Sequence, residues 1–109
     1  MSLILDGSSG TTGNLANGDL QVNGVTVGKG GGTVSTNTAV GGNTLNSNST
    51  GANNVAVGYN ALNVNTASLN SAFGSASLAQ NTSGTENVAL GSAALTSNTT
   101  GSYNTAVGR

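Results

Sequence analysis

Asn87-Val88-Ala89-Leu90-Gly91 is one of five near-copies of a single phrase. The others are Asn37-Thr38-Ala39-Val40-Gly41, Asn54-Val55-Ala56-Val57-Gly58, Asn70-Ser71-Ala72-Phe73-Gly74 and Asn104-Thr105-Ala106-Val107-Gly108. The anchoring asparagines stand 17, 16, 17 and 17 residues apart. A fixed period of this size marks a stacked architecture in which each repeat is one rung. A second signature follows each of the first four phrases, as in Gly41-Gly42-Asn43-Thr44-Leu45, and places Leu45, Leu62, Leu78 and Leu95 at one station. Three residues after each Leu comes another Asn (Asn48, Asn65, Asn81, Asn98), and then a Ser/Thr-rich turn that usually ends in Gly. The one-residue deletion falls in such a turn, at Thr66-Ala67-Ser68, where a stack tolerates length changes best.

These rungs read as strands and turns. Glycine in each rung and asparagine at fixed stations disfavour helix by up to about 1 kcal/mol per site. The chain has no proline, which suits a backbone whose N–H groups all serve a ladder. Within each phrase an alanine (Ala39, Ala56, Ala72, Ala89, Ala106) precedes Val40, Val57, Phe73, Leu90 or Val107. Adjacent strand residues point to opposite faces, and a strand apolar on both faces is covered on both. In so thin a coil one face meets the chain's own interior and the other meets another chain. The small Ala suits a crowded axis shared between chains, so an oligomer is expected. The recurring asparagines are expected to stack rung upon rung at about 4.8 Å, each amide donating to the next.

Composition narrows the function. The charged residues are Asp6, Asp19, Lys29, Glu86 and Arg109, for a net charge of −1. So neutral a surface offers no footprint for nucleic acid or anionic lipid. There is no Cys and no His, and only three carboxylates in unlike contexts. Thiol and imidazole catalysis and ordinary zinc sites are thereby excluded, and a paired acid/base site is not expected; neither enzymatic activity nor a cofactor is expected. Leu, Ile, Val and Phe make up 22 of the 109 residues, at the lower edge for a globular core, which again favours self-association. The run Leu3-Ile4-Leu5 is far too short for a signal-peptide core or a membrane span. Assembly in the cytoplasm without membrane insertion is the expectation.

Outside the repeats, residues 1–18 hold Gly, Ser, Thr and Asn around Leu3, Ile4, Leu5 and Leu15, read either as a disordered tail or as an extended segment that orders on contact with something else. In residues 19–32, Asn23-Gly24 lies between Leu20-Gln21-Val22 and Val25-Thr26-Val27, the strongest short-range hairpin signal. A two-residue loop puts 22 opposite 25 and 20 opposite 27, so Leu20, Val22, Val25 and Val27 share one face. A neighbour must cover that face, and a partner chain is the natural one. Gly28-Lys29-Gly30-Gly31-Gly32 invites a phosphate-loop reading, but Gly-Lys-Ser/Thr and a following helix are missing. A joint or tight crossover is the expected role. The chain is thus expected to be all-β, with the hairpin followed by a short-repeat β-roll or β-helix shaft over 33–109.

The phrase Asn-x-Ala-Val/Leu/Phe-Gly-x-x-Ala/Ser/Thr-Leu with its Asn-Thr-Thr-Gly-like turns resembles the repeats of bacteriophage tail fibres. It is less closely similar to the head repeats of trimeric autotransporter adhesins. Asn17-Gly18-Asp19-Leu20-Gln21-Val22-Asn23-Gly24-Val25-Thr26-Val27-Gly28-Lys29-Gly30 looks like a segment preceding such repeats in phage fibres, and Met1-Ser2-Leu3-Ile4-Leu5-Asp6-Gly7 looks like a fibre N-terminus. The resemblance implies an intertwined parallel homotrimer in the virion. Its N-terminal part, including Leu3, Ile4, Leu5, Leu15 and the hairpin face, would attach to tail, baseplate or other virion proteins. The shaft would serve host attachment. The chain stops at Arg109 in mid-rung, so the root of a longer fibre is expected.

Rival readings fit less well. An adhesin head needs a signal peptide and an anchor. An ice-binding solenoid needs a regular Thr-x-Thr face, whereas Val64, Ser75, Gln80 and Ser97 break it. Hexapeptide acyltransferases want a period in sixes and a His, and calcium-binding nonapeptide repeats want Asp in each turn. The Asn-x-Ser/Thr triplets at Asn48, Asn81 and Asn98 are expected to be turn chemistry, given that export is not expected. A capsid-surface fibre or decoration trimer shares every feature with a tail fibre.

Overall fold

The computed structural model describes residues 19–109 except Gly24, and the backbone only at Gln21 and Val22. Leu3, Ile4, Leu5, Leu15 and the rest of the expected attachment segment lie outside the described residues. Described residues form an all-β structure: β1 (Leu20–Val22), β2 (Val25–Gly28), β3 (Thr38–Gly41), β4 (Val55–Val57), β5 (Ser71–Phe73), β6 (Val88–Leu90) and β7 (Thr105–Val107). The seven strands make one sheet in chain order. From β3 to β7 neighbours are parallel and aligned phrase to phrase, with Ala39 beside Ala56, then Ala72, Ala89 and Ala106. The repeats are therefore a parallel β-solenoid of about four turns. Every strand sits one full coil after its predecessor.

The hairpin has the expected register, Leu20 opposite Val27 and Val22 opposite Val25, and Asn23 turns with φ 50°. Its second strand joins the solenoid antiparallel, with Val27 beside Val40 and Gly28 beside Ala39. The hairpin thus covers the first edge of the parallel sheet.

The turns between strands account for their backbone groups in an alternating way. In the second rung Ala61, Asn63 and Asn65 donate their N–H groups within the rung, to the carbonyls of Gly58, Asn60 and Leu62. The residues between them donate to neighbouring rungs: Gly58 to Val40, Asn60 to Gly42, Leu62 to Ser77 and Val64 to Ala79. Such a path requires left-handed backbone at every second station. Asn43, Asn60, Ala76 and Ala93 lie at φ 57° to 61°, and Leu45, Leu62, Leu78 and Leu95 at φ 46° to 52°. Left-handed backbone strains any residue with a Cβ, and leucine accepts it here because its side chain is needed inside. Asparagine tolerates this conformation better than alanine. Ala93→Asn, repeating what stations 43 and 60 already carry, should raise stability by about 0.5–1 kcal/mol and the melting temperature by a few degrees. An unchanged or lower melting temperature would contradict the assigned backbone.

The interior is thin. Each rung contributes a strand alanine, one leucine and the small residue before that leucine: Ala39, Ala56, Ala72, Ala89, Leu45, Leu62, Leu78, Ala61 and Ser77 are fully buried, and Thr44 and Ala94 nearly so. In the last rung Leu95 and Ala106 pack against this core while still partly exposed. The sequence placed the alanines on an axis shared by chains; the structure places them inside the chain's own coil. The reason is room: opposite a leucine, in a coil one side chain deep, only a methyl group fits.

Two asparagine columns fill the remainder. In one column Asn54, Asn87 and Asn104 each donate Nδ2 to Oδ1 of the asparagine one rung earlier, at 3.3, 3.1 and 3.1 Å. In the other, Asn81 donates to Asn65 at 2.7 Å and Asn98 to Asn81 at 2.9 Å. At the shortened rung the pattern bends: Asn70 Nδ2 donates to Asn65 Oδ1, Ser68 O and Gly84 O instead of to Asn54. These are buried amides with partners, which contribute about 0.5–1.5 kcal/mol each. They replace much of the missing hydrocarbon.

Candidate interaction surface

With alanine turned inward, the residues on either side of it turn outward. Thr38 and Val40, Val55 and Val57, Ser71 and Phe73, Val88 and Leu90, and Thr105 and Val107 form two parallel columns on the outer face of the sheet. Because opposed residues share a face, the register continues one column into the hairpin. It runs Leu20, Val27, Val40, Val57, Phe73, Leu90, Val107, all apolar. Val40 and Val57 are half-buried, and exposure then rises along the column from 39% at Phe73 to 48% at Leu90 and 75% at Val107.

Most exposed apolar side chains gather here. Val25, Val27, Phe73, Val88, Leu90 and Val107 lie on the strands. Tyr59, Leu69 and Tyr103 are exposed two residues from a strand end, at the corners that bound the face. Among the described residues Val64 alone of the exposed large hydrophobics stands elsewhere. Patches of this kind mark interaction sites. The sequence singled out the column through Val40 and Phe73 and missed Val55, Val88, Tyr59, Leu69 and Tyr103. The alternation 55-57-59 and 88-90 was their signal. The other sides of the coil carry hydroxyls and amides, such as the exposed Thr50, Thr66 and Thr82, whose Oγ1 atoms donate to the carbonyls of Thr66, Thr82 and Thr99 one rung on.

At the hairpin end of the face, Asp19 is a clamp. The residue is 5% exposed, and its carboxylate accepts from the backbone N–H groups of Lys29 at 2.8 Å and Gly30 at 2.7 Å. A Cβ on Gly28 would collide with the Asp19 side chain, so that glycine makes the close approach possible. The amides of a would-be phosphate loop are therefore already taken by a carboxylate. Gly31 N–H donates to Leu45 O at 2.9 Å and Lys29 Nζ to Gly32 O at 3.0 Å, so the Gly-rich segment is a tight crossover lying on the first coil.

Among the described residues no group of three His, Cys, Asp or Glu side chains stands together to hold a metal ion, and no helix is long and apolar enough to cross a membrane. No family model, curated protein or solved structure matches the chain. The surface itself is thus what speaks for function.

Proposed function

We propose that the chain is the shaft of a bacteriophage tail fibre, a structural virion protein that acts as a homotrimer and carries out no catalysis. Its N-terminal part would fasten the shaft to the tail or baseplate, and the rungs would hold the host-contacting end away from the particle. The observation that carries this reading is the apolar column running unbroken along a stack of near-identical rungs. A surface repeated from rung to rung supplies length and cohesion, and a surface so poor in charge has little means to select a nucleic acid or a lipid. The resemblance of the repeat phrase to those of phage fibres supports the same class.

Two measurements test it. In solution the purified chain should have three times its 10.4 kDa mass, and a folded 10.4 kDa monomer would count against the shared shaft. Antibodies to the chain, seen by electron microscopy, should decorate the tail of the particles. Labelling over the capsid would instead make it a capsid-surface fibre, and labelling of a bacterial outer surface an adhesin head.

A further inference from the structure

We propose that copies of this chain meet through the outer sheet face in parallel and without slip, and that Phe73 together with Ser71 sets that register. This rests on the reading of a self-associating parallel shaft and goes further by naming the face and the residue that fixes alignment.

Size and pattern argue for a second copy as the occupant. Six strand spacings make the face about 29 Å long, and three two-residue steps make it about 20 Å wide. The resulting ~600 Å² of flat area approaches the ~800 Å² that each partner gives to a stable interface. The face repeats along the stack at about 4.8 Å, and the same face on another copy has that repeat by construction. Within the strands it carries no charge, so no charged partner is favoured over it.

A regular face has a weakness: slipping by one rung exchanges one aliphatic contact for a similar one. The middle rung breaks this degeneracy. Phe73, the chain's only phenylalanine, stands two residues from Ser71 on its strand, whereas the adjoining rungs carry Val55 and Val88 at the serine's station. Bulk and hollow thus sit side by side in one rung. At zero slip the Phe73 ring of one copy has the Ser71 hollow of the other beside it. After a slip of one rung it meets Val55 or Val88, and overpacking opposes the fit. Polarity follows from the hairpin. Phe73 is also the midpoint of the five solenoid strands, so an antiparallel pair could centre on it. Only a parallel pair, however, also covers Val27 and Leu20 at the hairpin end.

The chain has no cysteine, so single-cysteine reporters are clean. With a short flexible bismaleimide on the full chain, Val57→Cys should cross-link to itself, because packed sheet faces lie about 10 Å apart, beyond the roughly 7 Å Cα reach of a disulfide. Co-refolded Val57→Cys and Leu90→Cys chains, tagged to differ in mass, should give little mixed product. Adding Phe73→Val to both should preserve the assembly's mass and raise the mixed product at least tenfold. Efficient cross-linking by Thr82→Cys on the polar side, with Val57→Cys silent and the oligomer intact, would overturn the choice of face. Abundant mixed product with Phe73 in place would overturn the parallel, unslipped register. Mixed product unchanged by Phe73→Val would remove Phe73 as its determinant. Loss of the oligomer in the unaltered chain would instead overturn the self-associating shaft on which the proposal rests.

Discussion

Gly74→Ala is expected to abolish or severely weaken folding, because position 74 has neither the dihedral range nor the space for a side chain. Its φ is 130°, outside the small left-handed basin that L-residues can use. A Cβ there would lie 2.6 Å from both the carbonyl carbon and oxygen of Gly91. Relaxation is blocked on both sides: Gly74 N–H donates to Val57 O and Gly91 N–H to Phe73 O, each at 2.8 Å. The dihedral alone costs about 1–3 kcal/mol, and the clash between backbones brings the total to about 3 kcal/mol or more. For a domain of this size that lowers the melting temperature by about 12–24 °C. In a stack whose rungs touch only their neighbours, a loss in the middle also uncouples the two ends. Thermal melts followed by circular dichroism test this. A melting temperature within 3 °C of the parent would show that Gly74 does not stack on Gly91.

Asn70→Ala should cost nearly as much for a different reason. Asn70 is fully buried and its amide donates to Gly84 O at 2.8 Å. Its Oδ1 accepts from the Asn87 backbone N–H at 3.0 Å and from Asn87 Nδ2 at 3.1 Å. Truncation strands the Asn87 N–H in an interior that water does not reach, while the Gly84 carbonyl is left with only its bond from Asn81. The stranded group costs about 1–3 kcal/mol and the lost bonds add to it, so a loss of about 2–4 kcal/mol is expected. At Asn104, which is only part-buried, the same truncation should cost about 1 kcal/mol, since water replaces what the side chain supplied. Denaturant unfolding of the two variants gives the comparison. Equal losses at 70 and 104 would refute the buried ladder as a source of stability.

Much of this architecture was legible in spacing. The Asn-x-Ala phrases became the parallel strands, the deletion at Thr66–Ser68 stayed in a turn, and Asn23-Gly24 produced the hairpin with its register. Which of two adjacent apolar residues faces inward was not legible, because alternation gives the same pattern either way. The depth of the coil decided it for alanine. Left-handed leucines such as Leu62, at φ 49°, left no trace either, since residue preference argues against them and only the hydrogen-bonding of the turn demands them. Nor did local sequence show that β2 would lie antiparallel on β3 or that Asp19 would reach the amides of Lys29 and Gly30, which are contacts between segments. The interaction face was half legible: its first column follows from the phrase, and its second appears only once the alanine is known to point inward.

The antiparallel hairpin at the start of a parallel stack gives the chain a direction in time. A parallel pair needs a whole coil of 16 or 17 residues to be closed before its first ladder bond forms, and closing such a loop is slow and costly in entropy. A hairpin of two short strands closes locally in microseconds, and β2 then offers β3 a ready edge. Each finished coil does the same for the next. A chain made this way is expected to fold as a zipper from the N-terminal side, in the order in which the ribosome delivers it. The hairpin is the slider from which that zipper starts.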